Sequence, residues 1–205
     1  RGPLQQPRAR WKELFLQFER LRQALGKGHQ TLIIRKVGIR EFGNRFHILY
    51  PEFLLSPSYE HQQAQLLRPE YARAGSDALA EIPEAGWLTF THFARVHKAF
   101  CISELAQLQG LAPYHIWSAE YAEKRLRWRP RQPLTVMILR VYCLDQPIQV
   151  TMTPRYIGCK SWLELESPVP LGSMQSALSD QEFFAQANAI DQAMATVIRP
   201  IEASP

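Results

Sequence analysis

The densest group of side chains able to bind a ligand lies between Trp117 and Arg131. Five lysines and arginines fall within residues 124–131, and Trp128 stands among three of these arginines. Arginine binds phosphate oxygens, and tryptophan stacks on a nucleobase or beneath a guanidinium group. The segment therefore predicts a nucleic-acid surface with Trp117 or Trp128 as the stacking residue. The predicted phosphate-binding residues are Arg125, Arg127, Arg129 and Arg131.

A purely structural role for the same segment stays open. The run Ser118-Ala-Glu-Tyr121 is typical of a helix start, because a serine there caps free backbone N–H groups. On the helix that follows, two glutamates stand four residues before a lysine and an arginine, which is the spacing of ion pairs on one helix face. These pairs are Glu120 with Lys124 and Glu123 with Arg127. The residues that would then pack inward are Trp117, Tyr121, Leu126 and Trp128.

A predicted hairpin carries a second group of cations. The β-rich run at 31–37, the turn signal Gly43-Asn44 and the run at 46–50 predict two antiparallel strands. Alternation along a strand places consecutive side chains on opposite faces, so one of two adjacent cations must face a groove or the core. The residues that would extend the phosphate-binding track are Arg35, Lys36 and Arg40.

One arginine interrupts the longest apolar run of the chain. Residues 134–144 are apolar on both faces apart from Arg140, which predicts a central strand of the sheet. A cation on such a strand either pairs with a carboxylate or lines a ligand cleft. Both alternatives remain open from the sequence.

Glu52, Glu60 and His61 are the basis of an alternative interpretation, a metal-dependent nuclease. Nuclease carboxylates hold a divalent ion such as Mg²⁺, usually near a lysine. No Glu-x-Lys or Asp-x-Lys pair lies on a predicted strand, and Glu60 and His61 would otherwise make local hydrogen bonds at a helix start. Outside this alternative we expect no cofactor and no metal, because phosphate-loop, dinucleotide and zinc-ligand spacings are missing from the sequence.

Composition and charge describe a chain with a basic first half and an acidic end. The 205 residues carry a formal net charge of +5 and are 46% hydrophobic, which excludes a disordered tail and a fibre. Residues 1–75 hold 13 Lys and Arg against 6 Asp and Glu, whereas residues 132–205 hold 4 against 7. The three cysteines are an odd number, and no apolar run is long enough to span a membrane. We expect a cytoplasmic protein without membrane contact.

The pattern along the chain predicts an α+β fold in a single domain, 1–205. A helix at about 11–25 and a C-terminal helix at about 179–198 flank a sheet core at about 30–166. Strands do not alternate regularly with long helices, so a doubly wound parallel sheet is disfavoured. We expect a mixed or antiparallel sheet with helices packed outside, and a barrel-like closure of that sheet is one option.

Several blocks of the chain, in the same order, resemble one bacterial family. They include Leu32-Ile-Ile-Arg-Lys-Val-Gly-Ile-Arg-Glu41, Thr91-His-Phe-Ala-Arg-Val96, Arg125-Leu-Arg-Trp-Arg-Pro130, Leu139-Arg-Val-Tyr142 and Gly158-Cys-Lys-Ser-Trp162. The family is the domain-of-unknown-function family numbered eighteen hundred and two, which is common in cyanobacteria, and the resemblance covers about residues 11–166. Some members are joined to a restriction-endonuclease-like domain, so the resemblance implies a link to restriction–modification.

These observations define three hypotheses. The leading one is a non-enzymatic, cytoplasmic module that contacts nucleic acid as a recognition or accessory subunit of a restriction system. The second is the metal-dependent nuclease that uses Glu52, Glu60 and His61. The third is a protein–protein adaptor that docks through the acidic C-terminal helix. The leading hypothesis loses most of its support if the two basic segments lie on opposite faces of the fold.

Overall fold

The computed structural model describes residues 14–35, 39–42, 45–48, 51–58, 66–73, 86–128, 130–156 and 164–197. The strands in these ranges are β1 (Leu14–Phe18), β2 (Leu32–Arg35), β3 (Ile39–Phe42), β4 (Arg45–Ile48), β5 (Glu52–Ser58), β6 (Trp87–Ile102), β7 (Leu134–Thr151) and β8 (Met174–Ser176). The α-helices are α1 (Glu19–Gly26), α2 (Pro69–Arg73), α3 (Leu105–Gly110), α4 (Ala119–Arg127) and α5 (Asp180–Val197).

A long antiparallel pair, β6 with β7, is the centre of the main sheet. Its register runs from Trp87 opposite Thr151 to Ile102 opposite Leu134, with two shifts on the way. β5 pairs with the other edge of β6, and β1 runs parallel to β5. On the other side of the central pair, β2 and β8 pair antiparallel with different stretches of β7. The strand order is β1-β5-β6-β7-β2, and β3 and β4 form a separate two-stranded ribbon.

The α+β class and the mixed sheet are confirmed, whereas the barrel-like option is wrong for the sheet as described. A barrel requires hydrogen bonds between the first and last strands of the sheet. Within the described ranges, β1 and β2 are the two edges of the strand order and do not pair with each other. The sheet is therefore open, and its helices lie on its faces.

The N-terminal helix is shorter than the sequence pattern predicts. Helix α1 begins at Glu19, and β1 occupies Leu14–Phe18, where the predicted helix 11–25 has its first half. The apolar residues of this run fit both a helical period and the alternation of a strand. Pairing with β5, in which Leu14 lies opposite Leu54, decides between the two in favour of a strand.

Helices cover both faces of β7, which explains why apolar residues on both faces dominate it. On one face Met137 and Leu139 pack with residues of α1, and on the other Val136 and Ile138 pack with residues of α3, α4 and α5. All four side chains are buried. The prediction of a central strand at 134–144 is therefore confirmed, since a strand covered on both faces needs apolar residues at every position.

Helix α5 is fixed to the sheet by an ion pair and by its apolar face. It runs over Asp180–Val197, and Ser179 and Glu182 form reciprocal hydrogen bonds at its start. Arg140 pairs with Asp180, donates to the Ser176 hydroxyl at 3.0 Å and lies 4.8 Å from the Phe183 ring centroid. Of the two roles left open for Arg140, the structure shows carboxylate pairing. Across the described ranges, no helix combines the length and apolar character needed to cross a bilayer.

The buried Arg22 connects α1 to β6. Its guanidinium donates to the Thr91 hydroxyl and, at 2.9 Å, to Nδ1 of His92. Burial, and to a smaller extent the Arg22 charge, lower the pKa of His92 to about 4. The ring is therefore neutral at physiological pH. Its opposite edge lies against the backbone of Gly26, the last residue of α1.

We expect Gly26→Ala to destabilise the fold by about 1–3 kcal/mol, the usual cost of overpacking a buried contact. A methyl group at this position would overlap the His92 ring and lie 2.7 Å from its Cδ2 atom. The ring cannot turn aside without losing its hydrogen bond from Arg22. Urea unfolding of Gly26→Ala measures the cost. The same substitution in a His92→Ala background should cost much less, and an equal cost would contradict the proposed contact.

Candidate functional site

Helix α4 carries the cation cluster, and local sequence sets both of its ends. The Ser118 hydroxyl accepts a hydrogen bond from the Tyr121 N–H at 3.3 Å, which caps the first turn. The last turn contains three cations, where the helix dipole favours positive charge. Trp128 leaves the helical conformation, and its N–H donates to the Lys124 carbonyl at 3.0 Å. The predicted start of this helix is confirmed.

The two tryptophans of the cluster lie in different environments. Trp117 is 7% exposed and belongs to the core, with its ring centroid 4.9 Å from that of Tyr121. Trp128 is 47% exposed. A stacking residue must present a ring face at the surface. Of the two predicted stacking residues, Trp117 is enclosed by core packing, and Trp128 is the one with an exposed ring.

Two of the cations are neutralised within the helix, as the structural alternative predicts. Lys124 Nζ lies 2.7 Å from Glu120 Oε1, and Arg127 lies 3.5 Å from Glu123 Oε2. The hydrogen bond from Lys124 lowers the pKa of Glu120. Exposed pairs at this spacing contribute little to stability, because water screens them and the long side chains lose freedom. A phosphate can therefore compete with the glutamates for these cations at little cost.

Arg125 lies between two aromatic rings. Its guanidinium carbon is 5.9 Å from the Tyr121 ring centroid and 5.8 Å from that of Trp128. Among the described residues, Arg125 has no carboxylate within ion-pair distance. We call Tyr121, Arg125 and Trp128 the α4 platform. It presents a positive charge beside a half-exposed indole ring.

The charge of Arg35, at the end of β2, acts on this platform. Arg35, the last residue of β2, is buried, and burial followed by the charge of Arg125 lowers its pKa to about 9. It stays charged at neutral pH. Because its side chain is covered, Arg35 offers no phosphate contact at the surface, but its charge adds to the potential at Arg125.

The predicted hairpin is split between two sheets. β2 pairs with β7, with Leu32 opposite Ile138, whereas β3 pairs with β4. Arg40 lies in β3 opposite His47, so it stands in a different sheet from Arg35. Nothing in the described residues places Arg40 beside α4. Lys36 and Arg129 lie outside the described residues, and Arg131 is exposed just beyond α4.

Sequence reasoning missed Tyr121 as a member of the site. It was expected only to pack inward, yet its ring forms one wall around the Arg125 guanidinium. A signal was available, because Tyr121, Arg125 and Trp128 follow the i, i+4, i+7 spacing of one helix face. This spacing explains why the side chains of Tyr121, Arg125 and Trp128 lie next to one another on the helix.

In the nuclease alternative, the first carboxylate is paired with an arginine. Glu52 begins β5 opposite Arg95 of β6, and its Oε1 atom lies 2.6 Å from Arg95 Nε. An arginine in that position competes with a metal ion for the carboxylate. Glu60 and His61 lie outside the described residues. Within the part of the chain that is described, no three His, Cys, Asp or Glu side chains are grouped to hold a metal ion.

The C-terminal helix proposed as a docking face is largely occupied by the core. Phe183, Ala187, Ile190 and Met194 of α5 are buried. Its exposed residues are polar apart from Phe184, Ala185 and Ala195, and the Phe184 ring lies 5.7 Å from that of His97. Nothing in the described residues identifies a protein that would bind this side.

The comparisons with known proteins give the family of the chain. A family model described as "Domain of unknown function (DUF1802)" matches residues 20–189. No curated protein and no solved structure matches the chain. The match covers most of the 205 residues. It includes all of α2, α3 and α4, all of α1 except its first residue, and the first part of α5. The chain therefore belongs to the DUF1802 family, as the sequence blocks predict.

Proposed function

We propose that this chain is a nucleic-acid-contacting module and that the α4 platform is its contact surface. The observation that carries the proposal is the half-exposed Trp128 ring with the Arg125 guanidinium 5.8 Å from its centroid. Proteins that bind single strands combine aromatic rings, which stack on bases, with cations that follow the phosphates. Both components are supplied here by adjacent turns of one helix end.

The local charge supports the same proposal. Residues 118–131 contain five Lys and Arg against two Glu, and the buried Arg35 adds a further positive charge from β2. Arg125 and the buried Arg35 would both attract a phosphate bound beside Arg125, which favours binding of an anion.

The form of the platform favours unpaired nucleotides over an intact duplex. A tryptophan face can stack only on a base that is not already stacked on both sides. Single-stranded DNA or RNA, or a locally opened duplex, offers such a base. With the family resemblance, this favours a recognition or accessory subunit of a restriction system.

Binding of a fluorescent single-stranded oligonucleotide, titrated at several salt concentrations, tests the proposal. We expect Trp128→Ala to weaken binding by about 5- to 100-fold, because stacking contributes about 1–3 kcal/mol per base. We expect Arg125→Gln to weaken binding and to reduce the slope of log K against log salt by about one, because one phosphate contact is lost.

Two surface substitutions far from the platform serve as matched controls. Trp87 is an exposed tryptophan at the start of β6, and Lys98 is an exposed cation paired with Asp191 at 2.7 Å. Trp87→Ala and Lys98→Gln should leave oligonucleotide affinity unchanged. The proposal fails if the wild-type chain binds no oligonucleotide at low salt, or if the platform variants bind as tightly as these controls.

A further inference from the structure

The α4 platform offers a single stacking position. In the described part of α4 and its flanks, Trp128 is the one exposed aromatic side chain, since Trp117 is buried and Tyr121 is half-buried. The Arg125 guanidinium lies over the Trp128 ring, 5.8 Å from its centroid, so only the rest of the ring can accept a base. Proteins that follow a single strand use several rings, on which successive bases stack. One ring instead suits one nucleotide.

A terminal base is the one that a single ring can bind at the lowest cost. A base inside a single strand has a neighbouring base on each side, and stacking on Trp128 must displace one of them. The last base of a strand has a neighbour on one side only, so its other face is free. Stacking of Trp128 on that free face breaks no existing base stack. The single ring therefore favours the end of a strand over its interior.

A second positive charge lies beneath the surface at this place. Helix α4 packs against β2, because Ile34 of β2 contacts the same buried cluster that contains Ala122 of α4. Arg35 is the next residue, at the end of β2, and its side chain is buried. Its charge acts on that of Arg125, which, together with the larger effect of burial, lowers the pKa of Arg35. An anion bound at Arg125 is therefore attracted by two arginines.

Two arginines match a terminal phosphate better than an internal one. The phosphate between two nucleosides carries one negative charge, whereas a phosphate monoester carries close to two at neutral pH. Arg125 can donate to such a phosphate directly, while the covered Arg35 attracts it through its charge alone. The two carboxylates of α4, Glu120 and Glu123, are each paired with another cation. The second negative charge of a terminal phosphate thus adds to the attraction.

We infer that the α4 platform recognises the end of a single strand that carries a terminal phosphate. Trp128 stacks on the terminal base, Arg125 donates to the terminal phosphate, and Arg35 adds its charge from beneath. The inference rests on the proposed function, because it names the part of the nucleic acid that the same surface binds. It has a consequence of its own, which is that phosphorylated strand ends bind more tightly than strand interiors.

Single strands of one sequence that differ only at their ends test the inference. The set consists of a circular strand, a linear strand with hydroxyl ends, and linear strands with a 5′-phosphate, a 3′-phosphate or the methyl ester of either phosphate. Competition against one labelled strand gives the affinity of each. We expect the 5′- or the 3′-phosphorylated strand to bind at least about tenfold more tightly than the circular strand and than its own methyl ester. The methyl ester keeps the phosphate but removes its second negative charge.

Variants of Arg35 isolate the contribution of the buried charge. Arg35→Gln removes this charge and should reduce the preference for the phosphate over its methyl ester to about threefold or less, with little effect on the circular strand. Arg35→Lys keeps the charge and should keep the preference. Lys98→Gln, which changes an exposed cation paired with Asp191, should also keep it.

The outcomes separate this inference from the proposed function. Equal binding of all the strands, still weakened by Trp128→Ala, would overturn the inference and leave the proposed function standing. Binding of no strand at low salt would contradict both. Because the comparison of strand ends uses the wild-type chain, it decides the matter even if the Arg35 variants fail to fold.

Discussion

Acidification from about pH 7 to about pH 4 is expected to lower the free energy of unfolding by several kcal/mol. Burial is the main reason that the pKa values of His92 and His115 fall from 6.5 to about 4 in the folded chain. The unfolded chain takes up protons near pH 6.5, whereas the folded chain does not do so until about pH 4. Stability is therefore fully present above this window and is lost as pH falls through it. Each histidine contributes roughly 3 kcal/mol at most, with His92 contributing less because it is only partly buried.

Urea unfolding at a series of pH values measures this loss. The carboxylates with lowered pKa values, Glu120 and Glu182, start from 4.5 and so act mainly below the window. The slope of stability against pH between about 6.5 and 5 therefore reports on the histidines. His92→Gln and His115→Gln should each reduce that slope. A double variant with the wild-type slope would contradict the assignment.

Trp117→Ala is expected to cost about 3–5 kcal/mol of stability, whereas Trp128→Ala should cost about 1 kcal/mol or less. The indole of Trp117 fills the core beside Tyr121, so its removal leaves a cavity. The indole of Trp128 is 47% exposed. Its removal leaves no core cavity and mainly removes the contact with the Arg125 guanidinium.

Thermal and urea unfolding of the two variants check this difference. A loss of 3–5 kcal/mol approaches the total stability of many domains, so Trp117→Phe provides a milder test if the alanine variant does not fold. Trp117→Phe should still cost more than Trp128→Phe. Equal losses at the two positions would mean that the burial of Trp117 does not stabilise the fold. Together with oligonucleotide binding, the pair separates a core tryptophan from a surface one.

Elements whose signals are local could be predicted from the sequence. The capping serine and the cations of the last turn determine α4, and the apolar run at 134–139 identifies a strand buried on both faces. Apolar and polar residues alternate at the start of β6, where Leu88 and Phe90 are buried. Register shifts after Phe90 and after Val96 then break this alternation. β1 was missed because its strand conformation depends on pairing with β5, about forty residues later.

For the candidate site, the sequence by itself determined which cations and aromatic residues stand on one helix, and which glutamates neutralise Lys124 and Arg127. Spacing on a single helix fixes these relations. Only the tertiary structure decided that Trp117 is inside and Trp128 outside, because burial depends on which distant segments pack against each ring. It also placed Arg35 where its charge acts on Arg125, and it paired Arg95 with Glu52. These relations depend on strand register and helix packing between distant segments, which a local pattern does not encode.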